Sequence, residues 1–188
     1  MRSHLCLIIA CIPLLAACQN EPVSNSGSKT KQKVEIDRYL GRWYEIARFP
    51  NRFEKDLIGV TATYSLRDDG KITVINAGYK SSFDGPYKET RGVAKIPDAN
   101  DPSKLKVSFF LFFYADYYIL ELDTLKYQYA LVGSSSDDYL WILSRSPLMT
   151  DENYNMLLEK AKARNYKVGN LIKVEQKPLA EYEKDKTL

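Results

Sequence analysis

From Trp43 onward, apolar and polar positions alternate in short runs separated by turn residues. Residues 60–66 (VTATYSL) give the clearest case. Val60, Ala62, Tyr64 and Leu66 fall on one face and Thr61, Thr63 and Ser65 on the other, the period of two expected of a half-buried strand. Asp68, Asp69 and Gly70 then lead into residues 72–79, a hairpin signal. Runs at 43–49, 88–95, 105–110, 117–122, 129–133 and 139–144 bring the predicted strands to eight, with Gly and Pro punctuating the gaps at 84–86 and 97–102. A helical period occurs once. Thr150 is placed to cap it, Asp151 and Glu152 occupy its first turn, Tyr154, Leu157, Leu158 and Ala161 form its apolar stripe, and Lys160, Lys162 and Arg164 crowd its end. A ninth short strand is predicted at 171–174.

This order predicts an all-β fold: an eight-stranded up-and-down antiparallel β-barrel with one C-terminal α-helix on its outer wall. Closure removes the free strand edges that invite aggregation. In such a meander the first strand starts, and the eighth ends, at the same end of the barrel. Trp43 and Arg145 are therefore expected to meet there, a guanidinium over an indole. The connections at 67–70, 96–103 and 123–128 share that tight end, and the loops at 50–59, 80–87, 111–116 and 134–138 surround an open one. Lys88, Thr90, Lys104 and Lys106 are expected on outward faces, which argues against a transmembrane barrel with its apolar outer band.

The N-terminus follows a different pattern. Residues 5–17 (LCLIIACIPLLAA) form an apolar run of 13 behind Arg2, too short for a bilayer-spanning helix of about 20 residues and typical of a secretion signal. It ends in Leu15, Ala16, Ala17 and Cys18. Residues 19–33 are polar and lack apolar periodicity, as in a flexible tether. The expected organisation is a signal peptide at 1–17, Cys18 and a tether at 18–33, a barrel domain at 34–178 and a charged tail at 179–188.

Composition then narrows the chemistry. Removing 1–17 leaves 171 residues, one domain's worth, and takes with it the only histidine, His4, and two of the three cysteines, Cys6 and Cys11. The remaining chain has no imidazole base, no Cys/His dyad and no Cys/His zinc site. No catalytic residue, metal site or cofactor is expected. Formal net charge falls from +3 to +2 with Arg2 gone, and the basic residues are spread along the chain, unlike the clustered face of a nucleic-acid binder. Fourteen tyrosines supply side chains with apolar bodies and polar tips, as an amphiphile pocket needs.

The motifs resemble those of the lipocalin family. Gly41, Arg42 and Trp43, followed by Tyr44-Glu45-Ile46-Ala47-Arg48, look like its G-x-W signature after a short turn at 37–40. Residues 141–147 (WILSRSP) look like its third motif, whose arginine packs on that tryptophan; the second motif is degenerate at 123–129. Residues 39–49, 60–66, 106–110 and 139–145, behind Leu15-Ala16-Ala17-Cys18 as a lipobox, are most similar to the bacterial outer-membrane lipoprotein lipocalins. That group tends to carry Gly-Pro where this chain has an apolar run at 109–114 (FFLFFY).

The resemblance implies palmitate-type acylation of Cys18, an anchor in the bacterial outer membrane facing the periplasm, and storage or transport of fatty acids or lysophospholipids for envelope maintenance under stress. A non-enzymatic lipid carrier is the expectation. The alternatives are a carrier of another apolar ligand, such as a pigment or haem, and a lipocalin-fold enzyme acting on lipid. Glu45 shares parity with Trp43 and so points inward, where a lone carboxylate is usually a hydrogen-bonded structural group. For the ligand, Trp141 shares a strand face with Leu143 and Arg145, Tyr64 and Phe109 follow as wall partners by alternation, and Tyr114 or Tyr118 is expected to receive a headgroup near the mouth. Partners are thus a lipid ligand and the membrane, not nucleic acid. The 109–114 run leaves open a homodimer contact, a membrane-touching rim or a pocket wall.

Overall fold

The computed structural model describes residues 34–184; the predicted signal, Cys18 and the tether lie outside the described residues. A one-turn helix α1 (Ile36–Tyr39) precedes eight antiparallel strands: β1 (Gly41–Arg48), β2 (Leu57–Leu66), β3 (Ile72–Lys80), β4 (Tyr87–Lys95), β5 (Lys104–Phe110), β6 (Phe113–Leu122), β7 (Tyr129–Gly133) and β8 (Leu140–Ser144). Then come α2 (Asp151–Lys162), a 3-10 turn (Val168–Asn170), the short β9 (Ile172–Lys173) and α3 (Leu179–Lys184). Each strand pairs with the next. β1 pairs with both β8 and β2, closing the barrel, and β9 adds to the far end of β1. The eight-stranded closed barrel with its outer helix is the expected fold.

Two apolar layers sit on either side of the wall. Trp43, Tyr64, Val74, Leu105, Ile119, Val132 and Leu143 belong to the inner one, with Trp141 packed against it. Ala47, Leu120, Leu131, Leu140 and Ile142 form the outer one, and α2 covers it with Leu157 and Ala161. Thr150 caps α2 as expected, its Oγ1 accepting from the Asn153 N–H at 3.3 Å. The 179–188 segment, expected as a charged tail, begins with α3. Its Tyr182 is buried edge-on against Tyr44 (centroids 5.0 Å) and donates to Gln176 Oε1 at 2.6 Å.

Four bulges adjust which residues face inward. In β1 the register shifts between Glu45 and Ala47, so Glu45 opposes Leu143, Ala47 opposes Ile142, and Arg48 opposes Trp141. The extra residue at Ile46 lets both Glu45 and Arg48 turn into the barrel while Ala47 meets α2. The other shifts fall in β2, β5 and β6.

Two expectations about the wall are corrected. Lys104 and Lys106 do flank the inward Leu105 and face out. Lys88 and Thr90, however, lie on the inner face, because Thr90 pairs with Asn76 and Lys88 with Gly78, in the parity of Val74 and Ile72. The connection predicted as a loop at 111–116 is a two-residue turn at Leu111 and Phe112, since Phe110 pairs with Phe113 and β6 starts there. The turn residues sit inside an unbroken apolar run, so the usual Gly and Asn markers of a turn are missing.

Candidate functional site

The tight end is built around Arg145. Its guanidinium carbon lies 3.9 Å from the centre of the Trp43 ring. Its N–H groups donate to the carbonyls of Arg38 (2.8 Å), Tyr39 (3.1 Å), Leu40 (2.8 Å), Arg42 (2.8 Å) and Tyr127 (3.3 Å). Three of these carbonyls end α1, where helical carbonyls lack intrahelical partners and a cation is favoured. Gly41 makes the junction possible: it has φ +92°, and a Cβ there would stand 3.3 Å from Arg145 Nη1. Trp43 completes the plug by donating its indole N–H to the Tyr39 carbonyl at 2.8 Å.

Above this plug, three tyrosine hydroxyls converge. Tyr117 Oη lies 2.7 Å from Tyr39 Oη and 2.9 Å from Tyr64 Oη. Burial raises the pKa of all three hydroxyls, which stay protonated, so the chain of hydroxyls is a neutral polar floor. Tyr64 was read from the sequence; Tyr39 and Tyr117 were not. Tyr117 follows from parity once its pairing with Leu105 is known.

Higher still is a charged cluster. Arg48 Nη1 donates to Glu45 Oε1 at 2.6 Å, and both side chains are buried. Arg48 Nη2 donates to the carbonyls of Glu54 (2.7 Å) and Leu57 (3.0 Å), pinning the β1–β2 loop over the mouth. Asn51 Oδ1 accepts from the Phe53 and Glu54 N–H groups and shapes that loop. Glu54 Oε2 then accepts from Trp141 Nε1 at 3.1 Å and from Asn51 Nδ2 at 2.5 Å. Burial first, and then the neighbouring Glu54 charge, push the Glu45 carboxyl well above its usual range in spite of Arg48. Glu45 is thus a tied structural group, as its sequence context suggested. Arg48 and Glu54 escaped the sequence reading because a bulge and a loop bring them in.

On the opposite side the interior opens. One inward row runs Trp43, Ala62, Asn76, Thr90 across β1 to β4. Exposure rises along it from fully buried Trp43 to exposed Thr90. Lys88, Phe109, Phe113 and Ala115 are also on inward-facing positions and reached by solvent. β4 and β5 are paired only from Val93 to Lys95, opposite Ser108 to Lys106; beyond that their ladder stops. Small residues line this side, and Asn76 Oδ1 is buried without a hydrogen-bond partner, an acceptor turned toward that inner face.

The sequence-predicted ligand residues therefore divide. Trp141 and Tyr64 are inside, Trp141 near the mouth and Tyr64 at the floor. Phe109 lies over Gly92 just past the end of the β4–β5 ladder, where a Cβ on Gly92 would come within 2.7 Å of its ring. Tyr114 and Tyr118 do not join them. Residues 115 and 117 face in with Val107 and Leu105, so 114 and 118 face out. Tyr118 packs beside the outer layer under α2, and Tyr114 lies under Lys95 Nζ, 4.4 Å from its ring centre. The headgroup role expected of this pair is not available from the outer wall.

Comparison with known proteins agrees with this geometry. Residues 34–176 match the family model described as a lipocalin-like domain. The chain is 45% identical to outer membrane lipoprotein Blc of Citrobacter freundii over 163 residues, 87% of this chain and 90% of that one. It is 40% identical to outer membrane lipoprotein Blc of Vibrio cholerae over 169 residues, 90% and 96% of the two chains. Lobster apocrustacyanin A1, at 24% identity, shares the fold with a TM-score of 0.63 over 81% of this chain and 85% of its own.

Proposed function

The chain belongs to the lipocalin family, and from that premise we propose that it is a lipid-binding lipoprotein of the bacterial outer membrane. In this reading residues 1–17 are removed, acyl chains on Cys18 hold the protein to the membrane facing the periplasm, and residues 19–33 tether the barrel from residue 34 onward. Two or more acyl chains give stable anchoring where one does not. The relatives named outer membrane lipoprotein support this placement. The ligand is a single acyl chain, from a fatty acid or lysophospholipid, carried for envelope maintenance under stress.

One observation carries the ligand reading. The inner face is closed by Trp43 and the tyrosine floor at one end, yet its positions at Thr90, Phe109 and Ala115 are open to solvent. An eight-stranded barrel filled throughout by its side chains would bury such positions. An apolar tail in this space would lie between Trp141, Phe109 and Ala62. Lys88, exposed on the inner face at the rim, suits an anionic headgroup better than the outward Tyr114 and Tyr118. Asn76 Oδ1 offers an acceptor to a ligand hydroxyl or ammonium. The tied Glu45 favours carriage over catalysis.

The test is fluorescence titration of delipidated protein with oleate and with lysophosphatidylcholine. We expect saturable binding at roughly micromolar Kd, about −8 kcal/mol, with a change in emission that shrinks sharply in Trp141→Phe. Trp43, sealed at the floor, serves as the constant background. Absence of saturable binding below about 100 μM for either lipid, some hundredfold weaker than expected, would leave a filled barrel without cargo. For the anchor, Cys18→Ala is expected to accumulate as an unprocessed precursor without palmitate label; normal processing of that variant contradicts the lipobox.

A further inference from the structure

The hairpin joining β5 to β6 ends in an apolar tip that nothing in the barrel covers. Phe110, Leu111, Phe112 and Phe113 are all exposed, Phe112 at 90%. The Phe110 and Phe113 rings stack with centroids 6.4 Å apart. At aromatic side-chain areas of 150–250 Å² each, the tip offers on the order of 500 Å² to water, the size of a typical monomer's largest apolar patch, which is often functional.

The turn is also built against local preference. Leu111 sits at φ +48°, in the left-handed region where a side chain with a Cβ is disfavoured. A two-residue hairpin turn with positive φ at its first central position takes Gly there with less strain. Ser108 holds the turn instead, its hydroxyl donating to the Leu111 carbonyl at 3.1 Å. The fold alone would be served better by polar turn residues, so the apolar tip calls for a reason outside the fold.

Its position supplies that reason. The tip adjoins the place where the β4–β5 ladder stops and the inner face opens. Along β4 the exposed Lys88 and Arg91 outnumber Glu89, a mild attraction for anionic headgroups. Val34 is buried at the opposite, tight end, where the Glu35 N–H donates to Tyr127 Oη. From Cys18 to Val34 is 16 residues, which reach at most about 55 Å. The longest strands have 10 residues and span only about 33 Å. A chain anchored at Cys18 can therefore turn its mouth onto the same bilayer, where the anchor raises the effective concentration of even a weak contact. A second copy is a poorer occupant, because a stable interface needs about 800 Å² per partner, more than the tip offers.

We propose that the β5–β6 hairpin is a membrane finger that seats Phe110, Leu111, Phe112 and Phe113 in the headgroup–acyl boundary and sets the exposed inner positions beyond the β4–β5 ladder against lipid. A lipid then passes between bilayer and barrel without crossing water. The finger rests on the anchored reading above but not on any particular ligand.

The experiment uses the full lipidated protein reconstituted into vesicles of phosphatidylethanolamine and phosphatidylglycerol, with and without brominated acyl chains. Phe112→Trp probes the tip. Leu125→Trp probes the tight end, where Leu125 is comparably exposed at 84%. Each is read against the native tryptophan background. An interfacial depth of about 5–10 Å brings the tip probe within reach of the bromines, so it is expected to shift blue and lose roughly half or more of its emission, with the Leu125 probe unaffected. A water-exposed, unquenched signal from Phe112→Trp overturns the finger, as does quenching confined to Leu125→Trp. A blue shift that ignores bromine and grows with protein density assigns the tip to a second copy and also overturns it. Failure of the anchor itself shows differently, as protein lost from the vesicles. The swap of one exposed aromatic for another leaves the fold intact, which an unchanged thermal midpoint verifies.

Discussion

Arg145 donates to five backbone carbonyls while its plane covers Trp43, so a lysine in its place keeps the charge and loses both the fork and the stack. Arg145→Lys is expected to lower stability by about 2–3 kcal/mol in urea unfolding, and by less in a Trp43→Phe background; simple additivity would mean that the two residues do not interact. Arg48 is a harsher case. Removing it leaves the buried Glu45 beside Glu54 without a compensating cation, a change that costs about 3–5 kcal/mol. Glu45 has a raised pKa in the folded state. The proton is therefore held more tightly folded than unfolded, and its stabilising effect is full below the unfolded value and fades as pH rises through the folded one. In Arg48→Leu that fall steepens, because nothing offsets the second buried charge, and Glu45→Gln in the same background restores much of the loss at neutral pH. Denaturant midpoints from acid to neutral pH check both statements. The floor tyrosines extend the logic to alkaline pH: their raised pKa values mean that stability falls as pH climbs past about 10.

At the scale of elements, the outer helix and the hairpin tip play opposite parts. α2 covers the outer apolar layer with Leu157 fully buried, so Leu157→Ala is expected to cost about 2–5 kcal/mol without moving ligand affinity, since the wall separates it from the interior. Equal losses of stability and affinity would place the helix in the binding path. The β5–β6 hairpin carries strain at Leu111, and Leu111→Gly with Phe112→Asn fits the turn better. That pair is expected to hold or raise the thermal midpoint. The amphipathic stripe of α2 was legible in the sequence because a period of 3.6 among short alternating runs is distinctive. The β5–β6 connection was legible only as a longer loop at 111–116: its turn interrupts no hydrophobic run, and the Phe110–Phe113 pairing trims it to two residues.

Across the described molecule, closure joins the first strand of the barrel to the segments that follow its last. β1 pairs with β2, β8 and β9, and Gln176, from the segment after β9, donates to the carbonyls of Glu45 and Val60. α3 then seals the outer wall through Tyr182, whose hydroxyl pKa burial pushes up to about 12. Tyr182→Ala removes the aromatic contact with Tyr44 and the bond to Gln176, and about 2–4 kcal/mol of stability should go with them. Calorimetry of that variant measures it, and an unchanged transition would mean that α3 is dispensable to the fold.

Local pattern along the chain was enough to specify the barrel and its polarity. Alternation marks strands because side chains point to opposite faces at every step, and eight strands in a meander force the first and last to meet, which brought Trp43 to Arg145 without any coordinates. The same alternation failed wherever tertiary structure reset the parity. The bulge at Ile46 turned Arg48 inward, and the β1–β2 loop carried Glu54 to Trp141. Tyr114 and Tyr118 went to the outer wall, and Tyr117 took the floor, because register against β5 and not distance along the chain decides facing. A one-residue slip exchanges the two faces of a strand. Local pattern therefore fixes which segments become strands, but the interior is assigned only when neighbouring strands lock one another's register.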